Sequence, residues 1–171
     1  VLVALGADGS MQATDLSIDQ KPERPDERKR IERCGGVVQP VFDEFGRPAG
    51  PQRVWYLAQV APGLAMSRSI GDAVGAMVGA TAEPEIGMQT VRESDSFLIV
   101  ASDGVWEFLD SPAAAKIVLQ KIRGKPMTEE LLLSAAQALC DKSRSLWLEE
   151  DKYVDDISAI IVAFQHQKGG A

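Results

Sequence analysis

The chain opens on an apolar, β-branched run at residues 1–5, breaks at GADGS and resumes an alternating pattern over 11–16. That is a hairpin pattern. It begins in mid-strand, so the chain is expected to continue a longer polypeptide whose N-terminal strands lie upstream. KPERPDERKRIERCGG predicts a short polar helix. Pro25 suits its first position, Asp26 and Glu27 fill the first turn, Arg28, Lys29, Arg30 and Arg33 follow, and Gly35 fits the position after the C-cap. Only Ile31 and Cys34 are expected to face inward.

Residues 37–42 read as a strand, and DEFGRPAGPQR reads as a Gly- and Pro-rich loop, long enough to be functional. VWYLAQV is apolar and semi-extended. APGLAMSRSIGDAVGAMVGA carries too many glycines for a continuous helix and predicts a packed loop with one helical turn. Residues 85–91 alternate as a strand and 92–96 form a turn. FLIVA at 97–101 is an unbroken apolar run, as expected of a central strand buried on both faces.

After SDG, a short helix is predicted at 106–109. A second follows with Ser111 as cap and Pro112 at its first position, over 113–122. A third is capped by Thr128, runs to about Trp147, and turns Leu131, Leu132, Ala135 and Leu139 inward. ISAIIVAF at 157–164 is a strand of high β propensity, and HQKGGA is a tail. Strands, then helices, then a strand predict an α+β fold with antiparallel sheet. The domain is expected to span 1–166, with 167–171 as tail.

The net charge of −7 argues against nucleic acid as the main partner and is compatible with carboxylates around a divalent metal, though a solvated acidic surface explains it more simply. Cys34 and Cys140 form no CxxC pair and are expected to be buried, reduced thiols of an intracellular protein, cytoplasmic or nuclear. No apolar run approaches the roughly 20 residues of a membrane span, and the first residues lack the basic lead and cleavage site of a signal peptide.

Asp103 follows FLIVAS and precedes Gly104, so its carboxylate stands at the rim of a sheet where the backbone can turn sharply. Such a group suits a hard cation, although Asp-Gly taken alone fits an ordinary turn or cap better. Asp155 and Asp156 adjoin the last strand and repel each other unless a cation balances them; a solvated acidic turn is the simpler alternative. Asp72, closing SRSIGD, and Asp19, before KPERP, are each open to ligand, cap or turn roles. His166 lies in the polar tail and is a poor candidate acid or ligand. The motifs GxxxxGK[ST], HExxH and GxSxG do not occur.

The blocks DQKPERPDERKRIERCGG, PGLAMSRSIGD, EPEI, FLIVASDGVWEFL and DDISAIIVAF stand in the order found in type 2C protein phosphatases, and the chain resembles that family over nearly its whole length. The resemblance implies a β-sandwich of two antiparallel sheets flanked by helices, with two Mn2+ or Mg2+ ions at one end. It implies attack by a metal-bridging water on phosphoserine or phosphothreonine of phosphoprotein substrates, with no phosphoenzyme. It makes Asp103 and Asp155 metal ligands and puts Asp156 in a place where the family usually has Asn. Asp19 and Glu107 match the acids of a weaker third metal site; the position of Glu107 is usually Asp. Asp72 matches a site-supporting acid, and residues 43–53 match the flap beside the active site.

The family's Asp-Gly-His-Gly-Gly block, which supplies a bridging Asp and a nearby His, does not occur in these 171 residues. This chain alone is therefore expected to have little activity and to self-associate unless an N-terminal segment completes the sandwich. The competing reading is a phosphatase-like binding or scaffold module without catalysis.

Overall fold

The computed structural model describes residues 1–56, 61–150 and 153–165; His166 and the tail at 167–171 lie outside them. In chain order the elements are β1 (Leu2–Leu5), β2 (Met11–Thr14), α1 (Pro25–Arg33), β3 (Val37–Phe42), β4 (Pro48–Tyr56), β5 (Ala61–Leu64), α2 (Ala73–Met77), β6 (Asp95–Ala101), α3 (Asp103–Trp106), α4 (Ser111–Ile122), α5 (Glu129–Glu150) and β7 (Ala159–Ala163). They build two compact units, Val1–Ser17 with Gly87–Ala171, and Ile18–Ile86. Each is an antiparallel sheet with flanking helices, which is the α+β class expected.

In the first unit the strand order is β2-β1-β6-β7. The predicted hairpin pairs Leu2 with Thr14 and Leu5 with Met11. β6 is central, flanked by β1 and β7, as its apolar run implies. It is not buried on both faces, however: Phe97 and Ile99 are buried while Val100 is 51% exposed. Successive side chains of a strand point to opposite faces. The buried face of β6 shares a core with α4 and α5 through Val118, Ile122, Ala135 and Leu139, where burying a valine, isoleucine or leucine side chain contributes about 1.5–3 kcal/mol. On the other face the cross-strand pairs Leu98–Val162 and Val100–Ile160 form an apolar patch.

Helix ends follow the chemistry predicted, shifted in one case. Thr128 Oγ1 accepts from Leu131 N (3.3 Å) at the head of α5. α4 is capped by Asp110, not Ser111. Asp110 Oδ1 accepts from Ala113 N (2.8 Å), while the Ser111 hydroxyl hydrogen-bonds Asp15. The short helix α3 comes earlier than predicted, beginning at Asp103 itself. Residues 85–91 do not form a strand. Every residue from 82 to 91 is exposed, and their alternation finds no partner strand among the described residues.

The second unit has the strand order β3-β4-β5, with α1 and α2. Its core is Ile31, Val38, Val54 and Val78. The long loop expected at 43–53 is mostly strand. Asp43 Oδ1 accepts from the N–H groups of Phe45 and Arg47 (2.9 Å each), and Gly46 takes φ 75°, so the chain reverses tightly and β4 starts at Pro48. The Gly and Pro that signalled a loop instead serve a bulge. The β3–β4 ladder shifts register between Gln39 and Val41, opposite Gly50 (φ 80°) and Pro51.

α1 forms as predicted, but Cys34 is exposed rather than buried. It is the C-cap residue, and Gly35 at φ 81° turns the chain away before Cys34 can join the inner stripe of Glu27 and Ile31. Cys140 is half-buried. No helix among the described residues is long and apolar enough to cross a membrane.

Candidate functional site

The antiparallel ladder between β6 and β7 ends on the pair Ala101–Ala159. The residues that leave β6 and those that enter β7 must therefore be neighbours, although over fifty positions separate them in sequence. Ser102 makes the junction. Its N–H donates to Ser158 O (3.0 Å), its hydroxyl donates to Asp156 O (3.0 Å) and accepts from Ser158 N (3.1 Å). Gly104 then lies against the same segment. A Cβ added there would stand 2.4 Å from Asp156 O, so only glycine allows this approach.

Three predicted site acids thus lie on adjoining segments of the first unit, Asp103 at the start of α3 and Asp155 and Asp156 before β7, although their three carboxylates are not drawn together as closely as a shared ion would draw them. Asp103 and Asp156 are exposed and Asp155 is half-buried. Asp103 Oδ1 accepts from Gly104 N (3.1 Å), and Asp155 Oδ1 accepts from Asp156 N (2.8 Å). Among the described residues no basic side chain forms an ion pair with any of the three. Glu107 is exposed one helical turn after Asp103, whose carbonyl accepts its N–H (2.9 Å).

Two indole groups brace the corner. Trp106 Nε1 donates to Ala101 O (2.9 Å), and the buried Trp147 Nε1 donates to Gly104 O (2.8 Å). Trp147 stands edge-on to Phe108, with ring centroids 4.8 Å apart. Neither indole role was read from the sequence; the tryptophans adjoin and follow SDG with no spacing signal that marks them as braces.

Asp19 and Asp72 belong to the second unit. Asp72 caps α2, its Oδ1 accepting from Gly75 N (2.6 Å). Asp19 is exposed, and its carbonyl accepts from Lys21 N (2.9 Å).

The sequence also gave no hint of the role of Glu27, read there only as a first-turn acid. It is fully buried. Arg30 grips it at both oxygens (2.7 and 2.6 Å), Arg68 Nη2 donates to Oε1 (2.7 Å), and the Ser67 hydroxyl bonds Oε2. Arg30 first, then Arg68 and Ser67, hold the carboxyl well below the usual carboxylate range, although burial opposes them. Among the described residues Asp26, Glu27 and Glu85 are the one trio of acids gathered closely enough to share an ion. Arg24, Arg30 and Arg68 already neutralise that trio, so it reads as an ion-pair network rather than a metal centre.

Comparison with known proteins sets this geometry in context. The family model described as Protein phosphatase 2C matches residues 2–146. The chain is 35% identical over 159 residues to probable protein phosphatase 2C 48 of Oryza sativa subsp. japonica, covering 93% of this chain and 42% of that protein. It is 35% identical over 170 residues to probable protein phosphatase 2C 72 of Arabidopsis thaliana, covering 98% and 48%. The crystal structure of serine-threonine phosphatase 2C from Toxoplasma gondii superposes with a TM-score of 0.73 at 23% identity, over 96% of this chain and 51% of that one. The chain thus spans somewhat under half the length of these curated relatives.

Proposed function

The chain belongs to the protein phosphatase 2C family, and on that premise we propose that the protein carrying it hydrolyses phosphoserine and phosphothreonine in proteins. In this reading residues 1–166 are the C-terminal part of one catalytic domain. The observation that carries it is the corner where Gly104 lies against Asp156, which joins the SDG turn to the DDIS segment.

The family is metal-dependent, and the corner suits a hard divalent cation such as Mn2+ or Mg2+. Its donors are carboxylate oxygens with no ion-pair partner among the described residues, in contrast to Glu27. Asp103 and Asp155 would hold the metal pair, and Asp156 would balance charge beside them. Asp19 and Glu107 would each serve as a weaker metal ligand, and Asp72 as a supporting acid. When bound, such ions lower the pKa of water and stabilise charge on the phosphoryl group. The protein's own part is positioning. Ser102 and Gly104 fix the two acidic segments against each other, and Trp147 anchors Gly104 from behind.

The proposed substrates are phosphoproteins of the cytoplasm or nucleus. The test is Mn2+-dependent release of phosphate from a phosphoserine peptide by the full-length protein, compared with Asp103→Ala and Asp155→Ala. Turnover in the wild type and its loss in both variants are expected; retained turnover in Asp103→Ala overturns the assignment. A metal-loaded wild type with no turnover supports instead a binding module.

These 171 residues by themselves are expected to show little turnover and to self-associate through the exposed patch of Val100, Ile160 and Val162. A monodisperse monomer in light scattering counts against that association.

A further inference from the structure

Resting on the reading of Asp103 as a metal ligand, we infer that Trp147 is a positioning residue, whose indole N–H holds the backbone beside Asp103 and thereby tightens Mn2+ binding. The case begins with an unmet need. α3 is four residues long, and helix ends leave carbonyls without intrahelical donors. Asp103 O is met by Glu107 N (2.9 Å). Gly104 is buried, so its carbonyl needs a partner too. Trp147 Nε1 donates to it at 2.8 Å, from 43 positions further along the chain.

The side chain suits that task. Trp147 ends the buried stripe of α5, after Ala135, Leu139 and Ser143. Leucine or phenylalanine would also bury apolar area there, but neither carries a donor. Phe108 meets the indole edge-on at 85°, with centroids 4.8 Å apart, and so fixes the direction of the N–H. Gly104 has no side chain by which to be held, which leaves its backbone as the handle. The backbone around Asp103 is tied at each neighbour: Ala101 O by Trp106, Ser102 by Asp156 and Ser158, and Gly104 O by Trp147. The exposed Asp103 carboxylate itself accepts from Gly104 N (3.1 Å), so its direction is inherited from the peptide that Gly104 anchors. All of these residues lie within the first unit.

The test is a Mn2+ titration of the full-length protein, with free Mn2+ followed by electron paramagnetic resonance. Wild type, Trp147→Phe, Phe108→Leu, Leu139→Val and Asp103→Ala are compared at a temperature where circular dichroism finds each folded. Trp147→Phe keeps a ring and loses the donor, and is expected to weaken Mn2+ binding about tenfold, as for outer groups that orient ligands. Phe108→Leu frees the indole to tilt; it is expected to act in the same direction by less, and decides the matter if Trp147→Phe does not fold. Leu139→Val thins the core under the same helix without touching Gly104, and is expected to lower Tm with Mn2+ affinity held within about twofold.

A Trp147→Phe protein that melts earlier yet binds Mn2+ as the wild type does would overturn the inference, because a purely structural role predicts that pattern. Leu139→Val weakening Mn2+ binding as much as Trp147→Phe would overturn it too, since the loss would then follow stability alone. If Asp103→Ala leaves Mn2+ binding unchanged, the reading of Asp103 as a ligand fails and this inference fails with it. If Asp103→Ala weakens binding and neither Trp147→Phe nor Phe108→Leu does, only the inference fails.

Discussion

Gly104 leaves no room for a side chain against Asp156, and replacing that glycine by alanine tests the packing of the proposed site. Two effects oppose each other. Gly104 lies in the short helix α3 at an ordinary negative φ, and alanine is favoured over glycine in a helix by about 1 kcal/mol. Against that, the new Cβ would stand 2.4 Å from Asp156 O and 3.1 Å from both Asp156 C and Ile157 Cγ1. The nearest obstacle is backbone, tied by Ser102 to the start of β7, so it cannot rotate aside. Overpacking of this kind costs about 1–3 kcal/mol.

Because the obstacle is backbone well inside 3.0 Å, the cost belongs in the upper part of that range, about 2–3 kcal/mol, and after the helix gain the net expectation is a loss of about 1–2 kcal/mol, or a fall in Tm of about 2–8 °C. Thermal and urea unfolding of Gly104→Ala provide the assay. Gly87→Ala is the control, since its Cβ would meet only Leu16 O at 3.6 Å. A Gly104→Ala protein as stable as the wild type, or more so, would refute the packing argument. The junction of the two acidic segments would then rest on the Ser102 hydrogen bonds and the β6–β7 ladder alone.

The other expectations concern stability. Because Arg30 and its partners depress the folded pKa of Glu27, the stabilisation from that group is complete above its unfolded value of about 4.3 and fades as pH falls toward the folded pKa. Urea unfolding between pH 7 and 2 should therefore show a shallower acid decline below about pH 4.3 for Glu27→Gln than for wild type, and identical slopes would contradict the network. Asp110→Ala removes the cap of α4 and should cost about 1 kcal/mol in the same assay, with Ser111→Ala costing less. The reverse order would restore Ser111 as the cap.

What the sequence made legible was what is local. The polarity of α1, the Thr128 cap of α5, the first hairpin and the apolar run of β6 are all set by residues within a few positions of one another. The errors arose where a local signal has two outcomes. Gly50 and Pro51 can make a loop or a bulge, and only the pairing of β3 with β4 decides. The alternation at 85–91 needs a neighbouring strand to become one, and Glu85 is instead held by Arg24, Arg68 and Gln20.

The site divides in the same way. Asp103 and Asp155 could be singled out because each adjoins a strand end, but only the family resemblance favoured ligands over ordinary turn acids. The contact that unites them spans the separation from Gly104 to Asp156, which no spacing rule reveals. Glu27 is hidden for a related reason: a first-turn acid suits the helix dipole, and the Arg68 contact that accompanies its burial comes from outside the helix.

The central claim is that Asp103 and Asp155 belong to one metal centre. Isothermal titration of the full-length, chelator-treated protein with Mn2+ tests it most directly. The wild type should bind Mn2+ at high affinity, and Asp103→Ala and Asp155→Ala, each shown to be folded, should both lose that binding. Unchanged high-affinity binding in either variant would contradict the account.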